Sequence, residues 1–524
     1  MALGVVLKIV LVGLGLYFLR SRLLQLKNGK QAPLPPGPKP SFLVGNLSDL
    51  PRDGELEFIH WLKHKDLYGP ISSVTVMGQT IVIINEARIA FELLEKRSSK
   101  HSSRPKQIFA GWENSLGGSP YSNQFRAHRK YMSRIIGSKN VAAQFNDLQV
   151  VEVGHFLLRV LENPDGLVEH IRKEAGAVIL KIIYGYTVEP HDKDALVDLI
   201  GEAMDQFGQA AVPGAWLVDI MPFMRHLPDW FPGTGFKRTA EKWKNTLIET
   251  ADKPFAFVKH QMARGQNEIS FLSRLLEQGD LSPENSLVKW SALSLYAGGA
   301  DTTVSSLAWF FLAMTVYPEV QRKAQEEIDR VIGSERLPGF EDRENLPYID
   351  AIVKEILRWN PVGPMGLPHM TTEDDIYEGY LIPKGAVILA NIWYFCHDPS
   401  IYHDPMAFKP ERYLSPTPEP DPHSLAFGFG RRVCPGRILA ENSLYLSIVQ
   451  SLAVFKISKA VDQTGKEIDP VVSPQAGIVC HPNPFKTNIK PRSERHETLI
   501  QSIEQIHPWQ ESDANVLEGI KILN

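Results

Sequence analysis

Cysteine is almost missing. Cys396, Cys434 and Cys480 are the three in 524 residues, too few and odd in number for a disulfide framework, so the catalytic body is expected where thiols stay reduced. None belongs to a C-x2-C pair and no histidine cluster accompanies them, which leaves a structural zinc site short of its three or four ligands. The chain also lacks an excess of either charge. Its 56 Lys+Arg against 60 Asp+Glu give a net charge of -4, too near neutral for a phosphate backbone to be the main partner, and nucleic acid is not expected. No G-x-G-x-x-G opens a helix after a strand, so no nicotinamide or flavin site is expected in the chain itself. No internal repeat, Gly/Ser linker or charge block divides it. What is there is ordinary: 43% hydrophobic and 22% charged residues exclude wholesale disorder and a polytopic membrane protein.

The N-terminus is of different material. Ala2 to Leu19 is an apolar run broken only by Lys8, and as a helix it reaches about 27 Å, close to the hydrocarbon thickness of a bilayer. Arg20, Arg22, Lys27 and Lys30 follow, which favours a cytosolic side for everything beyond. Residues 1–20 therefore read as a membrane anchor, in preference to a cleaved signal peptide, because no small-x-small site follows the run. Residues 21–40 read as a basic, proline-rich linker whose Pro33-Leu34-Pro35-Pro36-Gly37-Pro38-Lys39-Pro40 is a stiff, extended spacer. Residues 41–493 read as one large, mainly α domain, and 494–524 as a polar surface tail.

Within the body, Ile71 to Asn85 suits a hairpin around Gly78-Gln79, and Ile382-Pro383-Lys384-Gly385 suits a turn between two strands. Helical periodicity covers Val153–Leu161, Glu169–Tyr184, Ser286–Tyr317, Glu319–Ile332, Ile349–Trp359 and Ala440–Phe455. The long stretch Ser286–Tyr317 is apolar nearly all round and should be buried.

Phe427-Gly428-Phe429-Gly430-Arg431-Arg432-Val433-Cys434-Pro435-Gly436 places one cysteine in a loop of three glycines and two arginines, just before an apolar helix. Glycines let backbone approach a flat ligand, and the arginines with the helix N-terminus are expected to lower the thiol pKa. A lone thiolate is a known axial ligand of heme iron. A redox or nucleophilic cysteine is the competing reading, and it leaves the Phe and Gly platform unexplained.

Phe427, Gly430, Arg432, Cys434 and Gly436 match F-x-x-G-x-R-x-C-x-G, so the chain resembles cytochrome P450, the heme-thiolate monooxygenases. The resemblance implies a mainly α fold with small β-sheets (α+β), an N-terminal transmembrane anchor helix and heme b. It makes Cys434 the iron's proximal ligand, puts Phe427 beneath the porphyrin and pairs Arg432 with a propionate. Gly298-Gly299-Ala300-Asp301-Thr302-Thr303 resembles the family's oxygen-activation segment. Two helix-interior glycines cost about 1 kcal/mol each; close packing of small residues explains them, yet it does not explain a buried acid beside a hydroxyl. By resemblance Thr302 hydrogen-bonds the activated oxygen, Asp301 relays protons, and Gly298 and Gly299 leave room for O2.

Glu355 and Arg358 stand three apart on one helix face and alone would be a surface pair. They resemble the family's E-x-x-R, and Phe408 to Tyr413 resembles the partner segment that supplies Arg412, which implies a buried structural network. Phe125-Arg126-Ala127-His128-Arg129 resembles W-R-x-x-R and implies Arg126 and Arg129 near a propionate. Phe125 replaces the usual tryptophan and lacks its N–H donor. His369 falls where the family often has a further propionate ligand.

Details at residues 212–233 and 482–493 are most similar to fungal microsomal members, including enzymes of the O-methylsterigmatocystin oxidoreductase type. The implied activity is insertion of one atom of O2 into a lipophilic terpenoid or polyketide, at the endoplasmic reticulum membrane with the body facing the cytosol. Electrons from NADPH would arrive through a separate P450 reductase, with cytochrome b5 as a second candidate donor. Arg126, Lys130, Arg431 and Arg437 are expected on the docking face. Val212 to Phe231 is expected to dip into membrane lipid. Substrate contacts are expected from Phe109–Tyr121, Ala297, Val362–Leu367 and Gly477-Ile478. Two rival readings are a heme-thiolate isomerase or dehydratase, which Asp301 and Thr302 disfavour, and a heme-binding membrane protein without turnover.

Overall fold

The computed structural model describes residues 15, 32–52, 54–105, 111–211, 216, 218, 222–277 and 286–520. The anchor expected at 1–20 lies outside them apart from Gly15, as do Phe109 and residues 212–215 of the two expected contact segments. Among the described residues no helix is long and apolar enough to cross a membrane.

The hairpin pairs β1 (Ile71–Val76) with β2 (Gln79–Ile84), Ile71 opposite Ile84 and Val76 opposite Gln79. Its two-residue turn is Met77 and Gly78, at φ 49° and 88°, the pair of left-handed residues that such a turn requires. The sheet continues in the order β1-β2-β6-β3, with β3 (His369–Met370) antiparallel and β2 parallel to β6 (Val387–Ala390). The turn at 383–385 does join two strands, but they belong to different sheets. β5 (Tyr380–Ile382) pairs with β4 (Asp375–Tyr377), and β7 (Phe455–Lys459) with β8 (Thr487–Pro491).

Helices make the body: α1 (Glu57–Tyr68), α2 (Asn123–Ile136), α3 (Asn146–Glu162), α4 (Leu167–Tyr184), α5 (Ala195–Ala210) and α6 (Phe236–Ala263). They continue with α7 (Ser286–Ala300), α8 (Thr302–Val316), α9 (Pro318–Val331), α10 (Pro347–Trp359), α11 (Arg437–Val454) and α12 (Glu494–Ile506). The expected 286–317 helix is thus two. Thr302 Oγ1 donates to the Gly298 carbonyl at 2.7 Å, and Asp301 at φ -114°, ψ -35° separates α7 from α8. A side-chain hydroxyl has taken an acceptor of the helical ladder, next to two glycines that hold helical geometry weakly. α8 is buried along almost its whole length, with Trp309, Phe310 and Phe311 wholly enclosed, and packs on α4 and α11.

Two expectations change. The proline-rich segment is no free spacer where it is described: the Pro36 carbonyl accepts from Ser73 N at 2.9 Å, Pro35 from Ser73 Oγ at 2.6 Å and Pro33 from Leu381 N at 2.7 Å. Prolines keep their carbonyls, so an extended proline run can dock as an acceptor strip. The C-terminal segment is more than a surface tail. α12 lays Ile500 and Ile503 into the core against α3, and Trp509 stacks on His155 with ring centroids 4.0 Å apart. Ile500 and Ile503, three apart, form the inward edge of a polar helix, and Ile506 beyond them is exposed.

Candidate functional site

Cys434 ends the glycine loop just before α11, its N–H bonded to the Phe427 carbonyl at 2.8 Å. Gly430 sits at φ +52° with no space for a side chain, since a Cβ there would lie 2.4 Å from the Leu94 carbonyl oxygen. The loop is therefore pressed against the 91–96 helical turn, and only glycine permits it. Phe427 is half-buried and stacks on His423, while Phe429 is buried against Phe91. Burial pushes the Cys434 thiol up; the Gly436 and Arg437 amides and the Arg129 and Arg437 charges oppose this without prevailing. The expected lowering is thereby corrected: in the chain alone desolvation wins. A metal ion bound to the sulfur would displace the proton outright.

Beside this loop lie cationic side chains with no acid. Arg432 donates to the carbonyls of Ser102, Leu116 and Ser119 at 2.7, 3.0 and 2.6 Å, and its guanidinium stacks 3.9 Å over the Phe125 ring. Phe125 thus keeps the aromatic face for a cation–π contact that a tryptophan would also offer, and lacks only the indole donor. Burial and the Arg129 charge bring the Arg432 pKa down to about 10. Arg104, which no sequence motif singles out, donates to the carbonyls of Gly117, Leu367 and Pro368 at 3.0, 2.7 and 2.7 Å. Burial and the neighbouring Arg432 push its pKa well below the arginine range. His369 is buried, with Nδ1 2.7 Å from the His101 carbonyl oxygen; burial, Arg104 and Arg432 keep it neutral. Arg129 donates to the Val433 carbonyl at 2.6 Å.

Among the described residues no carboxylate pairs with Arg104, Arg129 or Arg432. Arg104 is buried and the other two are half-buried, and guanidiniums so enclosed that meet only neutral carbonyls are costly without an anion. The donor set fits a flat group carrying two carboxylates, with its metal bound by the cysteine. Arg126 does not join it. Phe125 and Arg129, four apart, share the inward face of α2, whereas Arg126 is exposed, bonded to Asn123 Oδ1 at 2.9 Å and 5.0 Å over the Tyr121 ring. Arg431 covers that ring at 5.1 Å, so Arg126 and Arg431 flank Tyr121; Lys130 and Arg437 are exposed as well.

The two glycines at the helix break differ. A Cβ on Gly299 would strike Ile179 at 2.8 Å, whereas one on Gly298 would meet nothing within 4 Å. Gly299 is there for packing and Gly298 for open space. Asp301 Oδ1 lies 3.0 Å from His481 Nε2, a partner that sequence reading missed. Ala297, one turn earlier, is buried, and Leu367 lies against Gly117.

Glu355 and Arg358 are wholly buried and joined by two 2.8 Å bonds. Arg412 Nε reaches both Glu355 oxygens at 3.1 and 3.0 Å, Lys409 N donates at 2.8 Å and the Tyr413 hydroxyl at 3.2 Å. Arg358 continues to the carbonyls of Cys396, Pro405 and Ala407, so this carboxylate ties α10 to the segment carrying Arg412.

A profile of the cytochrome P450 family matches residues 35–489. The chain is 51% identical over 491 residues to cytochrome P450 monooxygenase claR of Ampulloclitocybe clavipes, covering 92% of this chain and 91% of that protein. It is 48% identical to cytochrome P450 monooxygenase ppsD of Aspergillus oryzae, covering 93% and 94%. It is 45% identical to O-methylsterigmatocystin oxidoreductase of Aspergillus flavus, covering 96% and 95%.

Proposed function

The chain belongs to the cytochrome P450 family of monooxygenases, and from that membership we propose that it oxidises a lipophilic secondary metabolite of terpenoid or polyketide type. Membership brings heme b held through a cysteine thiolate, and electrons from NADPH through a separate reductase. When bound, the heme activates O2, so that one oxygen atom enters the substrate and the other leaves as water with two electrons and two protons.

The chain's own residues divide the remaining work. Cys434 would hold the iron, with the Gly436 and Arg437 amides directed toward its sulfur. Arg104, Arg129 and Arg432 would hold and neutralise the propionates, with the neutral His369 beside Arg104, and Phe427 and Gly436 would border the porphyrin. Thr302, its hydroxyl fixed on the Gly298 carbonyl at 2.7 Å, moves a proton inward from Asp301. Gly298 keeps the approach to that hydroxyl open. Glu355, Arg358 and Arg412 hold the proximal side rigid and touch no reacting atom.

Residues 2–19 anchor the body to the endoplasmic reticulum membrane in this reading. Phe42, Leu43 and Trp230, at 79%, 58% and 69% exposed, are the apolar side chains that would meet lipid beside it. Arg126, Arg431, Lys130 and Arg437 form the basic face for a reductase or cytochrome b5.

The observation that carries the reading is the set of three guanidiniums, Arg104 buried and Arg129 and Arg432 half-buried, without an acid among the described residues beside a loop cysteine. Its test is the reduced, CO-bound difference spectrum of wild type beside Cys434→Ser. A strongly red-shifted Soret band in wild type, lost in the variant, is expected. A folded wild type that binds no heme, or an unshifted band indifferent to the mutation, would overturn it.

A further inference from the structure

The contact between Asp301 and His481 joins segments 180 residues apart at 3.0 Å. The loop carrying the imidazole is fastened to the helix that carries the acid. The carbonyl of Cys480, next to His481, accepts from Ser305 Oγ at 2.7 Å and Trp309 Nε1 at 2.8 Å. Those residues lie one and two turns along α8 from Asp301. Cys480 N donates to Val362 O and Gln475 N to His481 O, each at 2.8 Å. With its backbone held on both sides, His481 has little freedom to present its ring elsewhere.

Stability does not account for this pair. Its side chains remain 22% and 18% exposed, and an ion pair open to water contributes at most about 1 kcal/mol. The surroundings point to traffic instead. Arg172 on α4 and Asp205 on α5 face the pair, with Glu202 beside Asp205. Burial pushes the Asp205 carboxyl up, Asp301 and Glu202 act in the same direction, and Arg172 and His481 oppose them. A narrow cleft lined by Arg172, Gly176, Val197, Gly201 and Asp301 runs between α4 and α5 to the helix break, and Asp205 and His481 stand outside its lining.

We propose that His481 is the positioning residue for Asp301, holding its carboxylate at the helix break where the cleft lined by Arg172 reaches it. A hydronium ion in that cleft gives its proton to Asp301, forming the O–H bond and leaving water, while the imidazole keeps the carboxylate in place. No electrons move. This rests on the P450 reading above, in which Asp301 supplies protons to Thr302.

The test uses the ferrous, CO-bound holoprotein, which is diamagnetic, with isotope-labelled histidine read by NMR. His481→Gln identifies the resonance. Asp301→Asn is expected to move the His481 ring-nitrogen resonance, because the carboxylate partner at 3.0 Å is lost; an unmoved resonance overturns the pairing. With a P450 reductase and NADPH, His481→Phe is expected to send at least threefold more of the consumed electrons to hydrogen peroxide. His481→Gln keeps a donor for Asp301, so it should bring that fraction most of the way back to the wild-type level. A His481→Phe peroxide fraction equal to wild type, or one that His481→Gln does not reduce, would sink the proposal. A wild type without the red-shifted band sinks the P450 reading and this one together; an intact band with an unmoved His481 resonance sinks this one alone.

Discussion

Arg104 shows how much a single buried charge implies. Three carbonyls share its guanidinium protons, and no acid neutralises it among the described residues. Removing the charge with Arg104→Met should weaken heme retention about tenfold or more, the equivalent of about 1.5–3 kcal/mol for a charge-assisted bond. Heme per polypeptide after dilution and gel filtration measures this; unchanged occupancy would remove Arg104 from the propionate set. A neighbouring residue carries a pH effect. His128 is fully buried with Nδ1 2.7 Å from Ser291 Oγ, and burial pushes its pKa down to about 4. The folded chain therefore binds this proton less readily than the unfolded chain. Its contribution is complete above about pH 6.5 and is lost as pH falls toward about 4, by about 2 kcal/mol at pH 5. Urea midpoints at pH 7 and pH 5 should converge by about that amount in His128→Gln relative to wild type.

At the scale of elements, the break between α7 and α8 predicts opposite outcomes for adjacent glycines. Gly299→Ala drives a methyl into Ile179 and should destabilise by about 1–2 kcal/mol. Gly298→Ala meets nothing and should stabilise by up to about 1 kcal/mol through helix propensity, while slowing CO rebinding after flash photolysis because the methyl narrows the approach to Thr302. Equal stability changes in the two variants would contradict this division. Glu355→Ala leaves Arg358 buried without an acid and Arg412 with Glu419 alone, and should cost about 3–5 kcal/mol, seen as loss of heme-loaded protein on expression. What could be read from sequence follows from contiguity. The Cys434 loop and the Glu355–Arg358 pair carry their chemistry within one turn or loop, and helix α10 was evident from its apolar spacing. Arg104 and His481 act through neighbours distant in sequence, and nothing within a few residues of either distinguishes it from an ordinary surface residue. α6 was hidden for a local reason: Pro254 stands inside its 28 residues, and proline normally marks a helix end. The break at Asp301 lies beyond periodicity altogether, because it depends on which carbonyl a hydroxyl takes.

At the scale of the whole molecule, residues beyond the P450 match contribute to the core. Ile500 and Ile503 are buried on α3, and Leu517 reaches the cluster around α6. Cutting the chain after Ser493 should cost on the order of 4 kcal/mol from the two isoleucines alone. A truncated protein with an unchanged denaturation midpoint would return this segment to the status of a tail. The docked prolines bear on the opposite end of the body. With Pro33, Pro35 and Pro36 seated on Ser73 and Leu381, the final stretch before the first sheet works as a bracket with a fixed bearing. Residues 33–36 are thereby held at one heading, as a key is held in its lock. Extra residues inserted between Pro33 and Pro36 would let the key slip.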